Sequence, residues 1–354
     1  MFKPPLPNQR LSSKALDQPM IHVRSIGSSQ SNRLNRTSSG SRHRPASGQR
    51  SISFSKTDLH SKYGVPLVTA QNFIVMNGND GQNLAVIQLN NQESFNSKKR
   101  VQIASLTKLM TCYVAIQLIR DLKINIYQIM YVSYDVYILT FKAVQISGTS
   151  AFLRAYDRIT LYDLLHGLML PSGNDAANVI AENLSSFVKD PVSNIALQYR
   201  IQPFISLMNQ YALLLDMNDT QFYNPHGKPT SIFSGLSNDQ SYSCAEDLAT
   251  LCKQIINDPL LMDIVNKKEH QATIQRNNKL IKLTWENTNK MLEFEGYCGF
   301  KTGFTNKAGP CLATLFKKDS ICIIIIILNC LSKEVRWDDT IKLSNWAQRK
   351  LNLN

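Results

Sequence analysis

The stretch VQIASLTKLMTCYVAIQLIRDL, residues 101–122, combines an apolar helical pattern with a serine and a lysine one turn apart. From Thr107 onward, apolar residues recur at helical spacing, which predicts a mostly buried helix. Ser105 and Lys108 share one face of that helix. A lysine in an apolar helix is costly unless it is paired or its pKa falls, and a neutral lysine can take a proton from a serine hydroxyl. The stretch alone leaves open whether this pair is catalytic or ordinary.

The basic charge of the chain is concentrated at its N-terminus. Residues 1–62 hold eleven Lys or Arg and two Asp or Glu, so they carry +9 of the net charge of +13. Their Ser, Arg, Gly and Pro content, with few apolar runs, predicts a disordered tail over residues 1–66. Because the remainder of the chain is nearly balanced, we expect no nucleic-acid binding by the folded domain.

Targeting and redox features favour a cytoplasmic or organellar location over export. The tail has no apolar core of the kind a secretory signal needs, whereas its Arg/Ser-rich composition resembles a transit segment. Phosphorylation sites are an alternative interpretation of the tail, and a plain solvated linker with no specific role is the one that its composition favours most. The seven cysteines are odd in number and lack a Cys-x-x-Cys pair, which is typical of buried free thiols. Residues 321–331 are too short to span a bilayer and predict a central strand, so no transmembrane segment is expected.

The order of predicted elements indicates one domain over residues 67–352. Residues 70–90 predict a hairpin around Asn-Gly-Asn-Asp-Gly, residues 125–157 are expected to be loop-like, and several helical patterns follow. Strand patterns return from about residue 270, and an amphipathic helix closes the chain. We therefore expect an antiparallel sheet in residues 67–140 and 250–352, with a mainly helical part over about 141–249.

Two further short motifs carry polar residues in places where they could reach a cleft. Ser172 and Asn174 lie in a Pro-Ser-Gly-Asn break between two helical patterns, where the alternative is a simple helix cap. Lys301, Thr302 and Gly303 lie on a predicted strand beside a Gly-rich turn. Such a strand edge could accept a substrate backbone with its carboxylate near the lysine, but a solvated edge-strand lysine has the same pattern.

Together the three motifs resemble a known signature. The blocks IASLTKLMTCYVA, GTSAFL, LYDLLHGLMLPSGNDAANVIAE and FEGYCGFKTGFTNKAG resemble, in this order, the penicillin-binding serine D-Ala-D-Ala carboxypeptidases, and the likeness extends over about residues 68–350. It implies an α/β (α+β) fold of the DD-peptidase/β-lactamase type. That fold would have an antiparallel sheet of about five strands flanked by helices, an all-helical subdomain, and an active site between them.

The resemblance also implies catalytic roles. Ser105 would be acylated by the substrate, Lys108 would act as general base, and water would hydrolyse the acyl-enzyme. Ser172 and Asn174 would relay protons and hold the acyl-side amide. The backbone N–H groups of Ser105 and Phe304 would form the oxyanion hole.

The implied substrate-binding residues lie on or after the late strand: Lys301, Thr302, Gly303 and Arg336. Lys301 and Thr302 would bind the terminal carboxylate together with Arg336, whose planar fork suits that task. His226, in the block YNPHG, would be structural. The implied partners are a small peptide ending in D-Ala-D-Ala, as in peptidoglycan, and β-lactam antibiotics. No cofactor is implied, and no histidine has metal-ligand spacing.

Other functions on this scaffold stay open at this point. A β-lactamase would share the fold and the acylation step, although residues 185–240 contain no glutamate of the kind that drives class A deacylation. A glutaminase or another small-amide or ester hydrolase is a second alternative. A non-catalytic binding protein, with the tail as its interaction element, is a third.

Overall fold

A computed structural model describes residues 64–84, 88–89, 92–93, 96–146, 148–188, 197–229 and 240–352. The tail predicted over residues 1–66 therefore lies outside the described residues, apart from its last three. The strands are β1 (Asn72–Asn77), β2 (Gln88–Leu89), β3 (Gln92–Glu93), β4 (Val101–Gln102), β5 (Ile129–Tyr131), β6 (Arg158–Thr160), β7 (Tyr242–Ser243), β8 (Glu269–Arg276), β9 (Lys279–Glu286), β10 (Tyr297–Thr305), β11 (Gly309–Lys318) and β12 (Ile321–Leu328).

The helices alternate with these strands along the chain. They are α1 (Thr107–Asp121), α2 (Tyr134–Ile146), α3 (Leu161–Met169), α4 (Asn174–Val188), α5 (Leu197–Arg200), α6 (Gln202–Leu214), α7 (Ala245–Ile256), α8 (Pro259–Asn266) and α9 (Val335–Asn352). The predicted helices after Ser105, after the Pro-Ser-Gly-Asn break and at the C-terminus are confirmed as α1, α4 and α9. None of the helices in the described residues is long and apolar enough to cross a bilayer.

The central sheet is antiparallel and joins the two ends of the domain. Its order is β1-β12-β11-β10, so β1 pairs with a strand that lies about 250 residues later, Asn72 facing Leu328. The isoleucine-rich β12 occupies an interior position, as predicted, and seven of its eight residues are buried. A strand buried on both faces can be apolar at every position, which explains its unbroken isoleucine run. Strand β10 is an edge of this sheet.

Helices cover both faces of the central sheet. Ile323, Ile325 and Ile327 face α9, where Leu343 and Trp346 are buried with them. The alternate residues of β12 face the larger cluster that contains α1 and α7. This alternation follows from the two-residue period of a strand. Helix α1 is therefore sandwiched between the sheet and the helical part, which accounts for its apolar residues on most sides.

A second sheet, with the order β5-β6-β8-β9, was not expected from the sequence. The strand patterns after residue 270 were assigned to one sheet of about five strands, whereas in the described residues the central sheet has four. Strands β8 and β9 instead form a hairpin that extends β5 and β6. A period-two pattern identifies a strand but not its partner. The predicted hairpin after β1 is seen as an isolated bridge between Met76 and Asn83, and residues 85–87 lie outside the described part.

The expectation of a loop over residues 125–157 was wrong for α2 and β5. The α2 sequence YDVYILTFKAVQI is rich in β-branched and aromatic residues, which lowers helix propensity and hides the helical period. All seven cysteines are free and six of them are buried, with Cys298 partly exposed. This confirms the prediction of unpaired thiols.

Candidate active site

Ser105 lies in a sharp turn at the start of α1. It is the middle residue of a 3-10 turn, Ala104–Leu106, and Ala104 has a φ of 47°. Because the first N–H groups of a helix have no carbonyl one turn before them, the amide of Ser105 is available to a ligand. A Cβ at Gly227, whose φ is +78°, would collide with the carbonyl oxygen of Ala104. The turn therefore requires glycine in the segment that supports it.

Lys108 is fully buried, and its side chain ends beside the serine hydroxyl. Its Nζ lies 3.0 Å from Ser105 Oγ, 2.7 Å from Asn174 Oδ1 and 3.1 Å from the carbonyl oxygen of His226. Burial, and then the nearby Lys301, lower the pKa of Lys108 well below its usual value, while Asp175 acts in the opposite direction. The amine is therefore biased towards its neutral form.

The contacts of Lys108 match the hydrogen-bonding capacity of a neutral amine. Asn174 Oδ1 and the His226 carbonyl only accept hydrogen bonds, so they take the two N–H groups of a neutral Nζ. The remaining lone pair then faces the Ser105 hydroxyl, which can donate to it. An ammonium group would direct its third N–H at the serine oxygen instead. The same set of neighbours thus orients the lone pair towards the proton that an attacking serine must lose.

The Ser172–Asn174 turn is held from a loop that precedes α3. Ser172 has a φ of 65°, and its carbonyl accepts a hydrogen bond of 2.5 Å from Thr149 Oγ1. The amide of Asn174 donates to the Thr149 carbonyl at 3.0 Å. Ser172 Oγ is buried and has no hydrogen-bond partner among the described residues. A buried hydroxyl without a partner is costly, so this oxygen is available to hydrogen-bond a molecule in the cleft.

Asp175 is a site-building residue to which the sequence analysis assigned no role. Its carboxylate accepts hydrogen bonds from Ser150 Oγ at 2.6 Å, from the Ala151 amide at 2.8 Å and from the Leu153 amide at 3.1 Å. It thereby fixes the loop that carries Thr149. The Gly-containing polar stretch of residues 147–150 indicates a loop in the sequence. A loop-like pattern does not predict which residues the loop contacts, so the role of Asp175 could not be inferred from it.

Lys301, on the edge strand β10, is a second buried lysine. It is 1% exposed and its Nζ has no hydrogen-bond partner among the described residues. Burial, and then the charge of Arg336, lower the pKa of Lys301 to about 7. Lys301 has no acidic partner in the described part of the chain, and Glu334 only partly offsets the charge of Arg336, so the two neighbouring cations form a site that favours an anion.

Arg336 and Thr302 complete this cationic end of the cleft. Arg336 lies in the first turn of α9, 8% exposed, and its Nη1 donates long hydrogen bonds to the carbonyls of Gly303 at 3.5 Å and Cys311 at 3.4 Å. These weak bonds leave most of the guanidinium capacity unused. Thr302 Oγ1 lies 2.8 Å from Thr288 Oγ1, a contact that the sequence did not indicate.

Strand β10 passes directly beside the Ser105 turn. A Cβ at Gly303 would lie 2.9 Å from the Ile103 carbonyl oxygen and 3.3 Å from the Ser105 amide nitrogen, so only glycine fits without displacement. The next residue, Phe304, is 44% exposed, and Lys333 Nζ lies 4.1 Å from its ring centroid. The structure therefore brings the backbone of Phe304 alongside that of Ser105.

All residues singled out from the sequence belong to one connected cluster. Lys108 links the Ser105 turn to Asn174, and Gly303 places β10 against that turn. Lys301 and Arg336 lie next to each other and form the cationic end of the cluster. His226 contributes its backbone carbonyl, while its ring Nδ1 accepts a hydrogen bond from the Lys228 amide. This agrees with the structural interpretation of His226.

One trio of possible metal ligands occurs among the described residues, outside this cluster. Single ligand atoms of Asp219, Cys244 and Asp247 lie within 4.8 Å of one another. Each already has a protein partner. Cys244 Sγ accepts from the Asp247 amide at the start of α7, Asp247 accepts from Thr220 Oγ1, and Asp219 pairs with Arg100. These contacts explain why the three side chains lie together: Cys244 caps the N-terminus of α7, and the two carboxylates are held by Thr220 and Arg100.

Comparison with curated proteins points to one family. The model of a family described as D-alanyl-D-alanine carboxypeptidase matches residues 60–332. The chain is 28% identical over 285 residues to the D-alanyl-D-alanine carboxypeptidase DacC of Escherichia coli, covering 80% of this chain and 62% of that protein. It is 29% identical over 254 residues to a D-alanyl-D-alanine carboxypeptidase of Streptomyces, covering 70% and 79%. The chain thus spans less than two thirds of the length of the Escherichia coli relative.

Solved structures give the same result for the fold. The chain is similar to the crystal structure of the Streptomyces K15 DD-transpeptidase, with a TM-score of 0.67 and 25% identity, covering 79% of this chain and 97% of that chain. It is also similar to penicillin binding protein 6B from Escherichia coli, with a TM-score of 0.63 and 28% identity, covering 80% and 78%. This likeness confirms the predicted fold class.

Proposed function

Because this chain belongs to the D-alanyl-D-alanine carboxypeptidase family, we propose that it is a serine hydrolase of peptides that end in D-Ala-D-Ala. One observation supports this most directly. The buried Lys108 lies 3.0 Å from Ser105 Oγ and keeps its two other contacts for groups that only accept hydrogen bonds. A lysine with only a structural role does not need a serine hydroxyl beside its Nζ. A lysine that acts as general base must lie next to the nucleophile that it deprotonates.

In the proposed acylation, Ser105 Oγ attacks the carbonyl carbon between the two D-alanines while Lys108 Nζ takes the hydroxyl proton. The carbonyl oxygen becomes an oxyanion that the amides of Ser105 and Phe304 stabilise by hydrogen bonds. As the tetrahedral intermediate collapses, the C–N bond breaks and the leaving amine needs one proton. Lys108 supplies that proton, with the unpartnered Ser172 hydroxyl as the relay. The products are an acyl-serine ester and free D-alanine.

Substrate orientation in this proposal depends on the cationic end of the cleft. The terminal carboxylate binds Lys301, Thr302 and Arg336, the three polar side chains beside the Ser105 turn on β10 and α9. The long bonds of Arg336 to two backbone carbonyls are readily exchanged for a charge-assisted pair. Asn174 Nδ2 has no hydrogen-bond partner within the described ranges and can hold the acyl-side amide carbonyl, while its Oδ1 is used by Lys108. Gly303 allows β10 to lie close to the Ser105 turn, so that a substrate along the strand can reach the serine.

Deacylation repeats the chemistry with water as the nucleophile. Lys108, again neutral after returning its proton, takes one proton from the water, whose oxygen attacks the ester carbonyl. The Ser105 oxygen leaves and recovers a proton from Lys108. A β-lactam would acylate Ser105 in the same way, but its leaving amine stays tethered to the acyl group. This tether obstructs the approach of water and favours a long-lived adduct.

The test is intact-mass analysis after incubation with benzylpenicillin, for wild type and Ser105→Ala, combined with measurement of D-alanine release from a D-Ala-D-Ala peptide. We expect one penicillin per wild-type chain, no adduct on Ser105→Ala, and D-alanine release by the wild type alone. Consumption of penicillin without an adduct would instead support a β-lactamase. Intact penicillin with unmodified protein and no D-alanine release would support a non-catalytic binding protein and contradict the proposal.

A further inference from the structure

Asn287, Thr288 and Asn289 form a short link between β9 and the segment that leads into β10. The two asparagines hold this link from both ends. The amide of Asn287 donates to the Lys268 carbonyl at 2.7 Å. Asn289 is 1% exposed, and its Nδ2 donates to the Gly299 carbonyl at 3.1 Å. The backbone on either side of Thr288 is therefore fixed.

Thr288 connects the two walls of the cleft. Its amide donates to the carbonyl of Leu170 at 3.1 Å, two residues before Ser172 in the loop between α3 and α4. Its Oγ1 lies 2.8 Å from Thr302 Oγ1 on β10. Thr288 is exposed, so this contact lies at the protein surface and is not a packing contact of the core. Because threonine is β-branched, its side chain has few rotamers, and the fixed backbone restricts where the hydroxyl can lie.

The hydrogen bond between the two hydroxyls has a direction that a bound carboxylate would decide. Each hydroxyl has one proton, and either oxygen can be the donor in the contact between Thr288 and Thr302. A carboxylate only accepts hydrogen bonds, so the Thr302 proton must point at it when the substrate is bound. The Thr302 oxygen can then accept from Thr288. A hydroxyl that accepts one hydrogen bond is polarised by it, and this strengthens the bond that the hydroxyl donates.

The other groups of the cationic end cannot replace this orientation. Lys301 and Arg336 attract a carboxylate by charge, and the Nζ of Lys301 has no fixed partner among the described residues that would set its direction. Among the described residues, Thr302 Oγ1 is also the sole hydrogen-bond partner of the Thr288 hydroxyl. The Thr288 proton is therefore available to Thr302 without competition from another protein acceptor in the described part of the chain.

We propose that Thr288 is a positioning residue for the substrate carboxylate: it donates to Thr302 and so turns the Thr302 proton towards the carboxylate. The charges of Lys301 and Arg336 attract the carboxylate, and the two threonines fix its orientation. The orientation of the carboxylate in turn sets the approach of the scissile carbonyl to Ser105. This proposal rests on the proposed peptidase function and adds to it a residue that acts through Thr302.

The test is a double-mutant cycle on kcat/KM for D-alanine release from a D-Ala-D-Ala peptide. Thr288→Val replaces the hydroxyl with a methyl group of similar size, and we expect kcat/KM to fall about threefold to tenfold, the effect of one lost hydrogen bond. Thr288→Ser keeps the hydroxyl and should restore most of the activity. In a Thr302→Val background, Thr288→Val should cause no further fall, because the proton that Thr288 directs is already absent.

Thr284→Val is the matched control, because it makes the same change at an exposed position on β9 and should keep the wild-type kcat/KM. Penicillin labelling of Ser105 after long incubation establishes that each variant is folded. Complete loss of labelling in Thr288→Val would show that Thr288 is needed for the fold, and would overturn the positioning role.

Three further results would contradict the role of Thr288 and leave the peptidase function standing. These are a wild-type kcat/KM for Thr288→Val, an equal fall in both backgrounds, and a serine variant as impaired as the valine variant. An equal fall would mean that Thr288 acts independently of Thr302. If the wild type neither releases D-alanine nor is labelled by penicillin, the proposed function itself fails, and the role of Thr288 with it.

Discussion

The Nζ atom of Lys108 lies 3.0 Å from the hydroxyl oxygen of Ser105, and the same nitrogen is held by two groups that cannot donate a hydrogen bond. These partners come from α4 and from the segment that ends at Gly227, so three separate parts of the chain converge on one nitrogen. Burial lowers the pKa of Lys108, and these partners direct its lone pair at the serine. The predictions below depend on this arrangement.

Replacement of Lys108 should remove the base and leave the nucleophile in place. For Lys108→Ala we expect the rate of penicillin acylation to fall by more than about 10²-fold, the range typical of general-base catalysis. The rate can be measured by stopped incubations and intact-mass analysis. Lys282→Ala, a surface change on β9, is the matched control and should react at the wild-type rate. A near-normal rate for Lys108→Ala would rule out its role as the base.

The two buried lysines predict a bell-shaped dependence of kcat/KM on pH. At low pH, kcat/KM should fall as Lys108 becomes protonated. The pH of this fall should lie well below the usual pKa of a lysine, because the pKa of Lys108 is lowered. On the alkaline side kcat/KM should fall above about pH 7, because the free enzyme loses the charge of Lys301 there. A bound carboxylate favours the charged lysine, so the alkaline limb of kcat should lie at higher pH than that of kcat/KM. Coincident alkaline limbs would argue against carboxylate binding by Lys301.

The buried Lys301 should lower the free energy of unfolding, although the proposed function needs its charge to bind the substrate carboxylate. Its pKa is about 7 in the folded chain, whereas an unfolded lysine titrates near about 10.4. The unfolded state therefore binds more protons between these values, and the wild type loses stability as pH falls towards 7. Lys301→Met should raise the free energy of unfolding by about 1–2 kcal/mol at neutral pH while it impairs hydrolysis. Urea denaturation tests this, and the gain should vanish above about pH 10.4. A destabilised variant would contradict it.

Gly227→Ala should displace the turn that carries Ser105. A methyl group there meets the Ala104 carbonyl and lies 2.5 Å from Thr107 Oγ1, and the backbone has a positive φ. Either the Ser105 turn or the Asn224–Gly227 segment must shift, so we expect loss of penicillin labelling and a loss of stability of about 1–3 kcal/mol. Gly64→Ala is a suitable control, because it also has a positive φ but no neighbour within 4 Å. Normal labelling of Gly227→Ala would show that the packing is not required.

Asp175→Asn should separate the two effects of that carboxylate. The amide keeps the size but replaces one acceptor oxygen with a donor, which conflicts with the donors from Ser150, Ala151 and Leu153 and should cost about 1–3 kcal/mol of stability. Loss of the negative charge should also lower the pKa of Lys108 further, because Asp175 normally raises it. The acidic limb of the activity profile should therefore move to lower pH. A limb that stays in place would mean that the carboxylate is only structural.

Much of this molecule was predictable because its signals are local. Helix α1 follows from apolar spacing after Thr107, β12 from an unbroken β-branched run, and the candidate residues from three short motifs in one order. The tertiary structure supplied what no local pattern contains. The pairing of β8 with β6 instead of the central sheet, the helix α2 hidden by poor propensity, and the contacts of Asp175 and Thr288 all depend on distant residues.

The sequence by itself determined which chemical groups are present and on which elements they lie, because side-chain identity and local period are encoded residue by residue. Only the tertiary structure decided that Lys108 is buried, that its Nζ lies 3.0 Å from Ser105 Oγ, and that Lys301 lies beside Arg336 with no acidic partner of its own in the described residues. Those properties arise from desolvation and from hydrogen bonds between segments more than 60 residues apart. Such contacts exist only after the chain has packed, and they are what turns a serine and a lysine into a candidate nucleophile and base.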